Sequence, residues 1–249
     1  MNSKGVHGDT AQHPGFDQRR RAFDADRADR LDVPNREELP DYGPRRDYMI
    51  RIDGPMVTDV DELFHTRWEH ARLTDAAYSE NTTAFEPSPY SGDSPGTLYA
   101  QLNATMPEPW AEMSILESMA KAITAAEEFI FIEDQYFRAP ALNDYPIATL
   151  LDKPQVELIV VSKPVADYDG GAKYTYLSDQ LFRDLVPDQY LLLQLKTFDV
   201  VLEEGTLWDT RDLYFENIDT HSKLLIVDDR YMSVGSANKN NRAMLYDGE

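Results

Sequence analysis

HSKLLIVDDRYMSVGSAN, residues 221–238, is the stretch that decides the fold of this chain. Its apolar run at 224–227 is typical of a strand that is buried on both faces. Because alternate side chains of a strand point to the same face, we expect His221 and Lys223 to project together, roughly 7 Å apart along the backbone. Asp228 follows the run and ends the predicted strand. The stretch therefore predicts a buried strand with a histidine and a lysine on one face.

The residue types in this run indicate a phosphate site. A neutral imidazole can attack phosphorus to give a phosphohistidine, and an ammonium group can neutralise charge that builds on the non-bridging oxygens. His221 is thus predicted as nucleophile or acid, and Lys223 as the phosphate clamp. Gly235 allows close backbone approach, and Ser236 and Asn238 offer neutral donors to phosphate oxygens. A purely structural strand does not explain the pattern, because a buried histidine and lysine need partners.

Around this run, apolar strand patterns alternate with helical patterns. Strands are predicted at 48–53, 97–102, 129–133, 156–161, 190–201 and 223–227, and helices at 56–73, 111–127, 146–151 and 172–185. Alternation of this kind predicts an α/β fold, a sheet covered by helices with its ligand chemistry at strand ends.

The charge balance limits the partners of the chain. Its 45 acidic and 24 basic residues give a formal net charge of −21. Extended nucleic-acid binding is not expected, because it needs clustered Lys and Arg along the phosphate backbone. The acidic surface is interpreted as a means of solubility, with adaptation to salt as the alternative.

The residue inventory implies no metal and no other cofactor. The chain has no cysteine, so it offers no thiolate ligands and no disulfides. His65 and His70 are five positions apart, outside the three-or-four spacing of a metal pair on a helix. There is neither an apolar run of membrane-spanning length nor a start that looks like a signal peptide. We expect a chain that is soluble or peripheral to a membrane, in a compartment that the sequence leaves open.

The fixed positions of the run match HxKxxxxDxxxxxxGSxN, and on this ground the chain resembles the phospholipase D superfamily, where the pattern is called the HKD motif. IEDQYF at 132–137 and GSANKNNRAM at 235–244 are similar to the segments that flank the second motif of two-motif phospholipase D enzymes. GPMVTDVDELFHTRW at 54–68 resembles the helix that follows their first motif. The resemblance covers residues 47–249 and implies a mixed sheet flanked by helices, as the second repeat of a pseudo-two-fold pair.

The resemblance also implies that one motif is missing. Family members build one active site from two motifs, and none of the other histidines here precedes a lysine by two positions. The family orients each catalytic histidine with an acidic residue some 25 or more positions downstream. For His221 this implies Glu249, and for the absent first histidine it implies Asp47 as a half-site remnant; an ordinary surface charge is the alternative for both. The implied catalytic set is His221, Lys223, Asp228 and Glu249, with Ser236 and Asn238 binding substrate.

The implied organisation is that of a piece of a two-motif protein, beginning just past the first motif and ending just past the second. Residues 1–46 form a charged, poorly patterned segment with one predicted helix at 16–31. Residues 47–80 are a remnant of the first repeat, and 81–96 are a linker. Residues 97–249 form the second repeat, with the motif within 215–242.

The implied function is that of a phosphodiesterase that hydrolyses or transfers the phosphatidyl group of a phospholipid through a phosphohistidine. The expected partners are a phospholipid at a membrane surface and a second HKD half-site. Three alternatives stay open: a transferase of the cardiolipin or phosphatidylserine synthase type, a non-catalytic fragment, and pairing of two copies so that two His221 rings meet. The head group and the accepting alcohol are not predicted.

Overall fold

The computed structural model describes residues 45–74, 84, 90–92, 96–163, 171–202 and 210–249. They belong to two compact units: one contains residues 45–49 and 104–249, and the other contains residues 50–103. The predicted helix at 16–31 lies outside the described residues. Side chains are not described at 172, 197–202 and 210–217.

The larger unit is built on a five-stranded mixed sheet. Its strands are β4 (Phe129–Asp134), β5 (Glu157–Ser162), β6 (Tyr190–Leu193), β10 (Lys223–Val227) and β11 (Tyr231–Val234), in the order β11-β10-β4-β5-β6. Strands β4, β5 and β6 run parallel, whereas β10 is antiparallel to both β4 and β11. The predicted α/β fold with a mixed sheet flanked by helices is confirmed.

The other elements of this unit surround the sheet. The helices among its described residues are α2 (Ser114–Thr124), α3 (Pro140–Asp152), α4 (Ala172–Leu185) and α5 (Asn241–Leu245). Three small two-stranded sheets pair β1 (Arg45–Arg46) with β9 (Asp219–Thr220), β2 (Thr105–Met106) with β3 (Glu112–Met113), and β7 (Lys196–Leu202) with β8 (Thr210–Asn217). The pairing of β1 with β9 is parallel, and it brings the start of the described chain next to the residues that precede His221.

The core lies between the sheet and its helices. The buried face of each central strand carries aliphatic side chains, such as Ile132, Leu158 and Leu225. At one end of this core Phe137, Phe182 and Tyr190 pack together, with ring centroids 5.0 to 6.1 Å apart. Each fully buried side chain of this size contributes about 1.5–3 kcal/mol relative to exposure. The core therefore fixes the strand ends on which the polar residues sit.

The unit of residues 50–103 contains helix α1 (Met56–Thr74). Gly54 precedes the helix with φ of 116°, a conformation that favours glycine, and Val57 N donates to its carbonyl at 3.0 Å. Phe64 and Trp68 stack along one side of the helix at a centroid distance of 5.8 Å. Within the described part of the chain, no helix is long and apolar enough to cross a bilayer.

Several predicted elements are corrected by the structure. Residues 48–53 and 97–102 form no strand, and Met49 and Ile50 in the first of these segments are exposed. Their apolar alternation mimics a strand, but a strand also needs a ladder partner. The predicted strand at 190–201 is two strands in separate sheets, and the short helix at 146–151 is part of α3, in which Pro146 lies inside the helix. Strands β8 and β11 and helix α5 were not predicted.

Candidate active site

His221 lies in the two-residue link between β9 and β10, at the same sheet edge where β4 ends. Its backbone N–H donates to the carbonyl of Arg46 at 2.8 Å, which continues the parallel pairing of β1 with β9. The residues that follow β1 are thereby placed beside the histidine, although 174 positions separate Asp47 from His221 in the chain.

Asp47 is the carboxylate that holds the His221 ring. Its Oδ2 lies 2.9 Å from Nδ1, and its Oδ1 accepts a hydrogen bond from the backbone N–H of Tyr48 at 2.9 Å. Burial pushes the pKa of Asp47 upward, but these hydrogen bonds and the charges of His221 and Lys223 outweigh burial, so the pKa is below its ordinary value. An ionised Asp47 selects the tautomer in which Nδ1 carries the proton and Nε2 carries the lone pair.

Lys223 shares this side of the sheet with His221, as the alternation of the strand predicts. Its Nζ donates to the carbonyl of His221 at 2.6 Å and lies 3.1 Å from Nδ1. When Nδ1–H donates to Asp47, the contact with Lys223 is not a hydrogen bond, because neither nitrogen then offers a lone pair. Burial lowers the pKa of Lys223, while the charges of Asp134 and Asp47 oppose this shift. Lys223 thus acts here as a buried point charge next to the ring.

Glu133 anchors the segment that carries Asp47. This carboxylate is 2% exposed and accepts from Arg46 Nε at 2.7 Å, from Tyr48 OH at 3.1 Å and from the hydroxyl of Ser222. Glu133, near the end of β4, therefore binds Arg46 and Tyr48, the neighbours of Asp47, and also Ser222, the residue after His221. Arg46, Tyr48 and Glu133 were not predicted as site residues. Glu133 could have been identified, because it lies in the IEDQYF stretch, which resembles a segment of phospholipase D enzymes.

Asp228 lies at the opposite end of β10 and serves the fold. Its carboxylate accepts from the backbone N–H groups of Glu127, Glu128 and Phe129 at 2.6 to 2.9 Å. At about 3.3 Å per residue, seven positions place it on the order of 20 Å from His221. The assignment of Asp228 to the catalytic set is therefore corrected: it closes the turn before β4 and cannot reach the same phosphate.

The remaining predicted residues lie after β11. Ser236 is exposed, and Asn238 is half-buried with an Oδ1 that has no hydrogen-bond partner among the described residues. Asn238 lines a cavity of about 650 Å³ together with Glu249, Tyr136 and Arg138. Among the described residues, His221, Lys223 and Ser236 are not on the wall of this cavity.

The structure places Asp47, and not Glu249, on the His221 ring. The backbone of Glu249 pairs in both directions with Thr105, at 2.9 and 3.3 Å, and Glu249 lines the same cavity as Asn238. The carboxylate on Nδ1 of His221 is Asp47, so Asp47 is not a remnant that serves only the absent histidine. The physical reason is the parallel pairing of β1 with β9, which places Asp47 beside His221.

The described residues contain no group of three or more His, Asp and Glu side chains placed to hold a metal ion. The groups that the structure brings together at His221 are an imidazole, the carboxylate of Asp47 that orients it and the buried ammonium group of Lys223.

Comparison with known proteins gives relatives in one enzyme family. No family model matches the chain. It is 30% identical over 251 residues to "Phospholipase D A" of Dictyostelium discoideum, which covers 86% of this chain and 18% of that protein. It is 28% identical over 203 residues to "Cardiolipin synthase 2" of Staphylococcus epidermidis, which covers 81% of this chain and 35% of that protein. The chain thus spans much less than the full length of these relatives.

Two solved structures are similar at low identity. NucT from Helicobacter pylori is 16% identical with a TM-score of 0.39, over 57% of this chain and 77% of that one. Nuc from Salmonella typhimurium, described as a phospholipase D family member, is 18% identical with a TM-score of 0.35, over 59% of this chain and 76% of that one.

Proposed function

Because the chain belongs to the phospholipase D superfamily, we propose that its site is one half of a phosphodiesterase active site that hydrolyses or transfers the phosphatidyl group of a phospholipid. The observation that carries the proposal is the His221 ring held by Asp47 at Nδ1, with the buried ammonium of Lys223 3.1 Å from the same nitrogen. A purely structural arrangement has no need for an oriented imidazole beside an ammonium group at a strand end.

His221 acts as the nucleophile or as the acid of the reaction. As nucleophile, its Nε2 forms a bond to phosphorus while the ester bond to the leaving alcohol breaks, and the alcohol oxygen takes a proton from an acid on the opposite side. Water or an acceptor alcohol then displaces the nitrogen, gives its proton to the same acid and restores the imidazole. Asp47 stabilises the positive charge that the ring gains, in the manner of the aspartate in a catalytic triad.

Lys223 and Asn238 supply the charge and the donors for the phosphate. Lys223 sits on a buried strand whose position is fixed by its neighbours, so its charge needs no rearrangement during reaction. The amide of Asn238, a residue that lines the cavity, donates to a non-bridging oxygen. The exposed Ser236 would add a donor at the rim.

The second half of the site is expected to carry the opposing histidine. Asp47, which precedes the described sheet, orients the histidine of the later motif. Under the pseudo-two-fold relation of the family, the equivalent acid of this half would orient the histidine of the other motif. Glu249 fits that role, because it follows the motif and faces the cavity beside Asn238. The partner half-site would come from the same longer protein or from a second copy of this chain.

The acceptor of the phosphatidyl group distinguishes the candidate activities. The name of the staphylococcal relative favours a transferase of the cardiolipin synthase type as the second candidate, in which an alcohol replaces water as acceptor. A phosphatidylserine synthase type differs in the same way. A non-catalytic half-site is the remaining alternative, and it predicts no covalent intermediate.

A labelling experiment tests the proposal. The chain is incubated with a short-chain phosphatidylglycerol labelled at phosphorus, and acid-labile, base-stable label on the protein is measured as phosphohistidine. We expect label on the parent chain and on His70→Ala, a histidine of helix α1, and loss of label in His221→Ala. Label that persists in His221→Ala would remove His221 as the nucleophile, and a parent chain without label would support the non-catalytic half-site.

A further inference from the structure

A fully buried ion pair joins Asp134 to Lys239 next to the phosphate clamp. Asp134 ends β4 and is the register partner of Lys223 in β10. Its Oδ2 lies 3.3 Å from the Nζ of Lys239, with the two side chains 0% and 1% exposed. Neither charge reaches solvent, so each depends on its surroundings for compensation.

The same carboxylate also holds the loop that carries Asn238. Asp134 Oδ1 accepts from the backbone N–H of Tyr136 at 2.8 Å and from that of Lys239 at 3.1 Å. The carbonyl of Lys239 in turn accepts from the N–H of Arg138 at 3.0 Å. Asp134 therefore links the strand end beside Lys223 to the residue that follows Asn238.

A buried carboxylate at this place has an electrostatic cost for phosphate binding. It attracts the ammonium of Lys223 and repels an incoming phosphate. Burial raises the pKa of Asp134, and the charge of Lys239, the two backbone donors and the charge of Lys223 oppose that shift. The loop needs the carboxylate as an acceptor, whereas the phosphate site needs its charge neutralised.

We propose that Lys239 is a positioning residue that neutralises Asp134, so that the charge of Lys223 stays available to the substrate phosphate. The inference rests on the proposed function, since it concerns the phosphate of the same site. The charged groups that act on Lys223 are Asp134, Asp47, Arg45 and Lys239, and the His221 ring lies beside it. Arg45 forms an ion pair with Asp219 at 2.8 Å. The cation that forms an ion pair with Asp134 is Lys239.

Binding of inorganic phosphate to the 249-residue chain tests this role without requiring turnover. Phosphate affinity is measured by titration calorimetry over a range of pH for the parent chain, Lys239→Met, and Lys239→Met combined with Asp134→Asn. Lys121→Met, at an exposed position of helix α2, is the matched control. All values are compared with the parent chain at the same pH, because phosphate itself titrates.

Lys239→Met is expected to bind phosphate about tenfold more weakly once Asp134 is ionised, the size of one charged interaction. The loss should grow as pH rises and Asp134 gives up its proton. A loss that merely reflects disturbed packing would not depend on pH. The combined variant, which removes both charges, is expected to bind phosphate within about threefold of the parent chain, and Lys121→Met should bind like the parent.

Parent-like phosphate affinity of a folded Lys239→Met at every pH overturns the inference, and so does a combined variant that binds more than about tenfold more weakly. If Lys239→Met does not fold, the combined variant alone decides, because it keeps the net charge around Lys223. A parent chain that binds no phosphate refutes the anion site and this inference together, whereas a parent chain that binds phosphate without any dependence on Lys239 refutes only the inference.

Discussion

Replacing Asp47 with asparagine perturbs the orientation of His221 while keeping the size of the side chain. Asp47 is 6% exposed, and its carboxylate lies 2.9 Å from Nδ1. An asparagine amide can turn its N–H₂ toward the ring, which then accepts at Nδ1 and moves its proton to Nε2. The lone pair needed for attack on phosphorus is thereby lost. Formation of the phosphohistidine is expected to slow by about 10²–10⁴-fold, the range of misdirected acid–base and triad groups.

The tautomer can be observed directly by NMR of the ¹⁵N-labelled ring nitrogens, independently of turnover. We expect the proton of His221 on Nδ1 in the parent chain and on Nε2 in Asp47→Asn. Glu249→Gln is the matched control, because it removes the other candidate carboxylate and should leave the tautomer as in the parent. A tautomer that changes in Glu249→Gln but not in Asp47→Asn would refute the pairing of Asp47 with His221, and unchanged labelling kinetics in Asp47→Asn would refute its role in the reaction.

Three further predictions concern stability and assembly. Asp228→Ala is expected to lower the free energy of unfolding by about 1–2 kcal/mol in chemical denaturation near pH 7, because three backbone N–H groups lose their acceptor. Burial raises the pKa of Asp228, but its backbone hydrogen bonds and the charge of Arg230 lower the pKa by more than burial raises it. The pKa is therefore below its ordinary value. This stabilisation is present above about pH 4 and is lost as pH falls through the lowered pKa, so the variant should match the parent only in acid. Phe182→Ala should cost about 3–5 kcal/mol in the same assay, since Phe182 is 0% exposed within the aromatic group with Phe137 and Tyr190. In phosphatidyl ester hydrolysis, the chain alone is expected to be about 10²–10⁴-fold slower than an extended product with an upstream motif; rates within about tenfold would instead favour pairing of two His221 rings.

The sequence predicted the parts of the site that are local in the chain. The apolar run at 224–227 predicted β10, and its alternation predicted that His221 and Lys223 share a side. The alternation of strands and helices likewise predicted the α/β class. These features depend on residues a few positions apart, and the period of the apolar residues is enough to predict such local structure.

Contacts between distant segments could not be predicted in the same way. The sequence identified Asp47 as a candidate acid but assigned it to the wrong histidine, because its place depends on the parallel pairing of β1 with β9. Asp134 and Lys239 look like ordinary surface charges in the sequence, and only their burial at adjoining strand and loop ends makes them a pair. The spacing of the motif placed Asp228 at the end of the strand, but the backbone groups that it binds, at 127–129, are about 100 positions away in the chain, so its structural role could not be predicted from the motif.

The segment that carries Asp47 is separated in the chain from the strands of the sheet by a long inserted segment, residues 50–103. Residues 45–49 and 104–249 share one compact unit, although residues 50–103 lie between them in the chain and form a unit of their own. The entropy lost on closing such a segment rises only with the logarithm of its length, by about 0.6 kcal/mol for each doubling. Insertions and deletions within 50–103 are therefore expected to change the free energy of the contact between Asp47 and His221 only slightly. The segment 50–103 can therefore vary in length and sequence while Asp47 stays in contact with His221.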